Sequence, residues 1–222
     1  LAIARLLNQA GYPVHVFVVE YRRTYSDDCR ENLHRVKAEN ISCDMISSTD
    51  EIPSLDPYDL LIDGIFGTGL NRAMSDLAKG VIQQINESKK KVISIDVPSG
   101  LFLDRPTPHA VHALGTVTFQ VPKLALYLPE NQPYTGEVWH VDIGLSEAAI
   151  AAMETDFFFT GINEARSMLK PLPRFAHKGM LGHTLIIGGS LGMSGSVCLA
   201  AKGALKAGCG LVTAFLPKCG IP

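Results

Sequence analysis

Apolar positions along the chain alternate between two periods. Leu1, Ile3, Leu6, Leu7 and Ala10 recur at helical spacing, and Gly11 and Pro13 stop that pattern. Residues 14–19 then form a short, mostly apolar run rich in β-branched side chains, which predicts a strand. The polar stretch 26–40 suits a surface helix, and 41–46 a second strand. A third apolar run, 58–62, ends at Asp63; a helical stretch, 73–88, leads to a buried strand over 92–95 that ends at Asp96. Two more strands are predicted at 116–120 and 138–142, and a small helix at 146–153.

Strands alternating with helical stretches predict βαβ units, hence an α/β chain with a parallel sheet covered by helices on both faces. The nearly continuous apolar strand interiors agree with burial on both sides. The alternation breaks over 145–176, an expected irregular stretch containing Pro171 and Pro173. A domain boundary is therefore expected near 150–160, giving domains of 1–155 and 156–222. The second opens with a strand at 184–187, a glycine-rich turn, a helix over 194–207 and a strand at 211–216. One βαβ unit cannot cover both faces of a sheet, so this second domain is expected to be only the start of a larger one.

Composition narrows the picture. Of 222 residues, 46% are hydrophobic and 19% charged, enough for a packed core. The net charge is −2, so no basic field suits a nucleic-acid backbone, and Lys89-Lys90-Lys91 is expected to be a solvated junction. The five cysteines lack CxxC spacing and are odd in number, which argues against a disulfide framework or zinc site and favours a reducing, cytoplasmic setting. No apolar run reaches the ~20 residues that span a bilayer. His109 and His112 share i,i+3 spacing without an evident third ligand, so a packing or surface role is expected.

Candidate chemistry lies at the strand ends. In open parallel sheets ligands bind beyond the carboxyl ends of the strands, where Asp63 and Asp96 fall. Either could be a loop or helix cap; two of them, each followed by a glycine-bearing turn, favour a site. After Asp63, Gly67-Thr68-Gly69 allows close backbone approach to a ligand and Arg72 could pair with a phosphate, although the run matches neither a P-loop nor GxGxxG. Ser99 follows Asp96 in Val-Pro-Ser-Gly; a carboxylate and hydroxyl at neighbouring strand ends suit a hard alkali or alkaline-earth cation, or else a simple turn. Lys123, just past a strand, could hold phosphate or move a proton, or be merely solvated.

The ordered series Asp63-Gly-Ile-Phe-Gly-Thr-Gly-Leu, Ile95-Asp-Val-Pro-Ser-Gly-Leu, Thr118-Phe-Gln-Val-Pro-Lys and Val141-Asp-Ile-Gly-Leu resembles the YjeF N-terminal family, the NAD(P)H-hydrate epimerases. From His177, the segments His-Lys-Gly-Met-Leu-Gly-His, Gly188-Gly-Ser-Leu-Gly-Met-Ser-Gly and Ala207-Gly-Cys-Gly-Leu-Val resemble the start of the YjeF C-terminal dehydratase domain. Together they resemble bifunctional NAD(P)H-hydrate repair enzymes. The resemblance implies a Rossmann-like three-layer αβα sandwich followed by the first βαβ of a ribokinase-like domain.

It further implies that R- and S-NAD(P)HX are interconverted at the hydrated C6 of the nicotinamide. In the complete protein, dehydration of the S form at the expense of ADP or ATP would follow. Asp63 and Ser99 would bind potassium; Gly67, Thr68, Gly69, Leu70, Asn71, Arg72, Ala73 and Asp96 would contact the dinucleotide, with Ser196 on the dehydratase side. Asp63 and Lys123 would frame the proton chemistry. The family's Asn-Asn-Gly-Gly-Asp-Gly loop is expected just before Leu1 and later dehydratase residues beyond Pro222, so the chain is expected to be a fragment with an inactive dehydratase. The partner implied is a small dinucleotide, with no nucleic acid or membrane; homo-oligomerisation is left open. Two rival expectations are a nucleotide-binding module without turnover and a ribokinase-like small-molecule kinase.

Overall fold

The computed structural model describes residues 1–20, 25–71, 73–169 and 171–218. Two compact units are present, Leu1–Phe159 and Thr160–Pro222. The first contains α1 (Ala2–Gln9), β1 (His15–Val19), α2 (Asp27–Ala38), β2 (Ser42–Ile46), β3 (Leu60–Asp63), α3 (Asp76–Glu87) and β4 (Lys91–Ile95). It continues with β5 (Gly115–Phe119), α4 (Gln132–Thr135), β6 (Glu137–Val141) and α5 (Glu147–Ala151). The second contains α6 (Ile162–Met168), β7 (His183–Ile187), α7 (Gly195–Lys206) and β8 (Leu211–Phe215).

Every described strand pairing is parallel. In the first unit the strands form a β1–β2 pair and a four-stranded sheet ordered β3-β4-β5-β6. Helix α3 packs against both. Its Leu77 and Val81 join Ile46 of β2, with Phe17 and Val19 of β1 against them. Its Ile82 joins Val92 of β4 and Val111, with Leu61 of β3 alongside. Leu77, Ala78, Val81 and Ile82 are buried at helical spacing, so one face of α3 is apolar. Ser75 starts this helix by accepting a hydrogen bond from the Ala78 amide at 3.2 Å. Asn86, near its end, donates to the Ala110 carbonyl at 3.0 Å and accepts from the His112 amide at 2.9 Å, fixing the approach to β5.

A polar chain also ties β1 and β2 to the segment before β3. Tyr58 Oη lies 2.7 Å from His15 Nδ1, and His15 Nε2 lies 2.8 Å from Asp44 Oδ2. A third apolar cluster, Val97, Leu101, Ala110, Ala125 and Leu126, packs beneath the turns that follow β4 and β5. Those turns therefore rest on a core and are not free loops, which is what makes the strand ends a stable platform.

The helix α6 lies inside the stretch expected to be irregular. Gly161 precedes it and Leu169 follows it, and Ile162, Ala165 and Met168 recur every third residue. So short a periodic run is easily lost among prolines and glycines. Among the described residues no helix is long and apolar enough to cross a membrane.

Candidate active site at the strand ends

Asp63 is the last residue of β3 and only 3% exposed. Its Oδ2 accepts from Ser94 Oγ of β4 and from the Ser99 amide, each at 2.8 Å. Its Oδ1 accepts from Ser99 Oγ and, more weakly, from the Ile65 amide at 3.4 Å. Burial pushes its carboxyl up from the ordinary 3.8, against the hydrogen bonds from Ser99 and Ser94, which pull it down. Ser99 Oγ in turn accepts from the Phe66 amide at 2.9 Å and lies 3.5 Å from the Phe66 carbonyl. Asp63, Ser94, Ser99 and the backbone of Ile65 and Phe66 thus form one knot joining the ends of β3 and β4. Ser94 and Ser99 are fully buried. Gly100, at φ 98, closes the turn; a Cβ there would stand 2.5 Å from the His109 carbonyl oxygen, so no larger residue fits without displacing backbone.

The Asp63 knot is made only of oxygen acceptors, hydroxyls and amides. Asp63 Oδ1, Ser99 Oγ and the Phe66 carbonyl converge there, a donor set whose hard oxygens and single negative charge match a monovalent cation.

Asp96 follows β4 and is arranged differently. It adopts φ 67, and the Val97 amide donates back to the Ile95 carbonyl at 2.9 Å, a γ-turn of the rarer hand. Such backbone costs about 1–3 kcal/mol and concentrates at functional sites. The turn carries Asp96 toward Lys123. Lys123 Nζ donates to Asp96 Oδ1 at 2.8 Å, to Thr118 Oγ1 at 3.0 Å and to the Phe119 carbonyl at 2.6 Å. Three acceptors match the three N–H bonds of an ammonium. The pair is partly open, with side-chain exposures of 14% for Lys123 and 17% for Asp96. The described hydrogen bonds of the Asp96 carboxylate all fall on Oδ1, and its Oδ2 faces Gly67, where a built Cβ would stand 3.7 Å away. The loop after β3 thereby meets the carboxylate after β4.

Gly67, Thr68 and Gly69 are exposed along that loop, as are Asn71 and Ala73, while Leu70 is half-buried and its amide donates to the Gly67 carbonyl at 3.4 Å. Arg72 lies outside the described residues. A cavity of about 400 Å³ is lined by Ala73, Met74 and Lys79 together with Phe102, Pro108 and His109. Asp63, Ser99, Asp96, Lys123 and residues 67–71 thus gather at one sheet edge. Lys123 meets Asp96 there, and Asp63 meets Ser94 and Ser99. Ser196 lies in the second unit, near the start of α7, with its hydroxyl donating to the Met193 carbonyl at 3.3 Å. Ser94, Thr118 and Gln120 make contacts that their positions in the sequence did not announce. For Ser94 the available signal is a lone hydroxyl between two isoleucines of a buried strand.

Residues 1–125 match the family described as YjeF-related protein N-terminus. The bifunctional NAD(P)H-hydrate repair enzyme Nnr of Moorella thermoacetica is 34% identical over 98% of this chain and 42% of its own length. An NAD(P)H-hydrate epimerase of Oenococcus oeni is 33% identical over 66% of this chain and 69% of its own length. A crystal structure of the yeast protein YNL200c shares the fold, with a TM-score of 0.54 at 18% identity over 73% of this chain and 68% of that one. The chain spans less than half the length of the bifunctional relatives it matches.

Proposed function

The chain belongs to the YjeF-related N-terminal family, and on that premise we propose that its first unit interconverts the R and S epimers of hydrated NAD(P)H. The observation that carries this is the Asp96–Lys123 pair beneath the exposed Gly67-Thr68-Gly69 loop. Inverting a hemiaminal carbon can proceed by opening its C–N bond. The hydroxyl proton leaves as the ring nitrogen gains one, and closure on the opposite face reverses both transfers. That chemistry calls for a group to take and return the hydroxyl proton and for a cationic neighbour. Asp96 offers Oδ2 toward the loop for the first, and Lys123 supplies the second.

The loop residues 67–71, with Arg72 and Ala73, would hold the dinucleotide through backbone amides and the Thr68 hydroxyl. Asp63 acts from below. With Ser99 it would hold a potassium ion, which would place positive charge beside the dinucleotide-binding loop. Its catalytic part is to shape the Ser99 turn from which Asp96 projects. We assign this activity to a cytoplasmic setting and a dinucleotide partner, without nucleic acid. In a protein with a complete second domain, dehydration of the S epimer with ADP or ATP would follow.

The test is chromatographic. Purified R-NADHX is incubated with the chain in potassium buffer, and growth of the S epimer is followed against a no-protein control. Acceleration that disappears in Asp96→Asn supports the assignment. A folded chain that leaves the uncatalysed rate unchanged overturns it.

A further inference from the structure

The γ-turn at Asp96 has a twin one strand over. Gln120, directly after β5, adopts φ 57, and the Val121 amide donates back to the Phe119 carbonyl at 2.7 Å. The two turns repeat the same backbone bonds: the Asp96 amide donates to Val117 of β5 and the Gln120 amide to Val141 of β6, both at 2.7 Å. Their side chains also repeat one act. Asp96 Oδ1 accepts from the Phe119 amide at 3.3 Å beyond the neighbouring strand's pairing. Gln120 Oε1 accepts from the Ile143 amide at 2.8 Å and, more weakly, from Leu145 at 3.4 Å, just past β6. Each strand end is thereby pinned to the next, from β4 to β5 to β6.

This accounts for a part of the chain that the epimerase assignment leaves unused, the Asp142-Ile143-Gly144-Leu145 turn. Asp142 Oδ1 accepts from the Gly144 amide at 2.7 Å, and Gly144 adopts φ 79, so the turn is a fixed shape presenting two amides to Gln120. The anchored residue is the one that reverses the chain after β5. Only that reversal lets Lys123 return its ammonium to the Phe119 carbonyl four residues back and reach Asp96.

We propose that Gln120 is a positioning residue for Lys123: its side-chain carbonyl, held by the Ile143 and Leu145 amides, fixes the γ-turn that sets the lysine on Asp96. The role in turnover rests on the epimerase assignment; the placement of Lys123 does not. An amide acceptor of this length is specific. Asparagine tolerates positive φ equally well but is one methylene too short to reach the amides, whereas glutamate keeps both the reach and an acceptor oxygen.

The test therefore compares Gln120→Asn with Gln120→Glu in the whole chain. Lysine amines are trace-labelled with an acylating reagent and quantified by peptide mass spectrometry, with exposed Lys89 as the reference. Gln120→Asn is expected to raise Lys123 labelling relative to Lys89 about fivefold or more, as local opening exposes the amine. It is expected to lower kcat for R-NADHX by about 10²-fold with KM nearly unchanged, the signature of a displaced catalytic group. Gln120→Glu is expected to restore both. Unchanged Lys123 labelling in Gln120→Asn overturns the placement. Raised labelling with undiminished kcat overturns the role in turnover. Raised labelling in a chain whose wild type shows no epimerisation leaves the placement standing and sinks the epimerase assignment instead.

Discussion

Two neighbouring strands end in an aspartate after an apolar run, and the two carboxylates have opposite fates. Asp63 ends Leu-Leu-Ile in regular strand conformation, is 3% exposed, and takes hydrogen bonds from two serine hydroxyls and two amides. Asp96 follows Ile-Ser-Ile, turns left-handed, stays partly open and pairs with an ammonium. One carboxylate is tied into the platform by four hydrogen bonds; the other stands at its edge, paired with an ammonium. A buried acceptor with every donor supplied by the protein stabilises the fold and cannot readily exchange protons with a ligand. A charged pair with one oxygen turned outward contributes less to folding and is available for chemistry.

Substitutions at the two positions should separate these roles. The largest expected effect is on turnover. Asp96→Asn keeps the shape of the side chain but removes the proposed base, and should lower kcat for epimerisation by about 10²–10⁴-fold. A rate within a few-fold of wild type would erase the contrast. Next comes stability. Asp63→Ala leaves Ser94 and Ser99 buried without their acceptor and should cost about 3 kcal/mol or more in urea denaturation. Asp96→Asn should cost clearly less, and equal costs would mean that both carboxylates are structural.

A smaller effect sharpens the same point from the donor side. Ser94→Ala removes one of the four bonds to Asp63 and should cost about 1–2 kcal/mol, with turnover little changed. A large loss of kcat with intact stability would move Ser94 from platform to reaction. The smallest expected effect is on pH dependence. Because burial raises the Asp63 carboxyl in the folded state, the native chain binds its proton more tightly than the unfolded chain. The contribution of Asp63 to stability is therefore fully present below the ordinary value of 3.8 and is lost as pH rises through the raised folded value. Subtracting the stability–pH curve of Asp63→Asn from that of wild type should isolate a difference falling in that direction. A difference that rises with pH would show that the hydrogen bonds outweigh burial.

Much of this was written in local pattern. All eight strands among the described residues lie where apolar, β-branched runs predicted them, and boundaries moved by only one or two residues. The helix that packs against both the pair and the sheet of four was expected over 73–88 and spans Asp76–Glu87, starting three residues later because Ser75 caps it. The gathering of Asp63, Ser99, Asp96 and Lys123 at one edge follows from parallel strands, because each carries its chemistry at its carboxyl end. Periodicity did not mark α6, whose apolar positions are few and exposed. Nor did it indicate that the first unit's strands separate into a pair and a sheet of four.

The sequence by itself determined the strands, the longer helices, their order, and which polar residues sit at strand ends, because propensity and period act within a few residues. Only the tertiary structure decided what each carboxylate does. Leu-Leu-Ile-Asp and Ile-Ser-Ile-Asp are nearly the same local text; Ser94 and Ser99 claim the first carboxylate, while Lys123, from the turn after β5, claims the second. Ser94, Ser99 and Lys123 lie between 27 and 36 positions from the carboxylates they bind, beyond the reach of local pattern, and such partners set whether a carboxylate is a buried tie or half of an open ion pair.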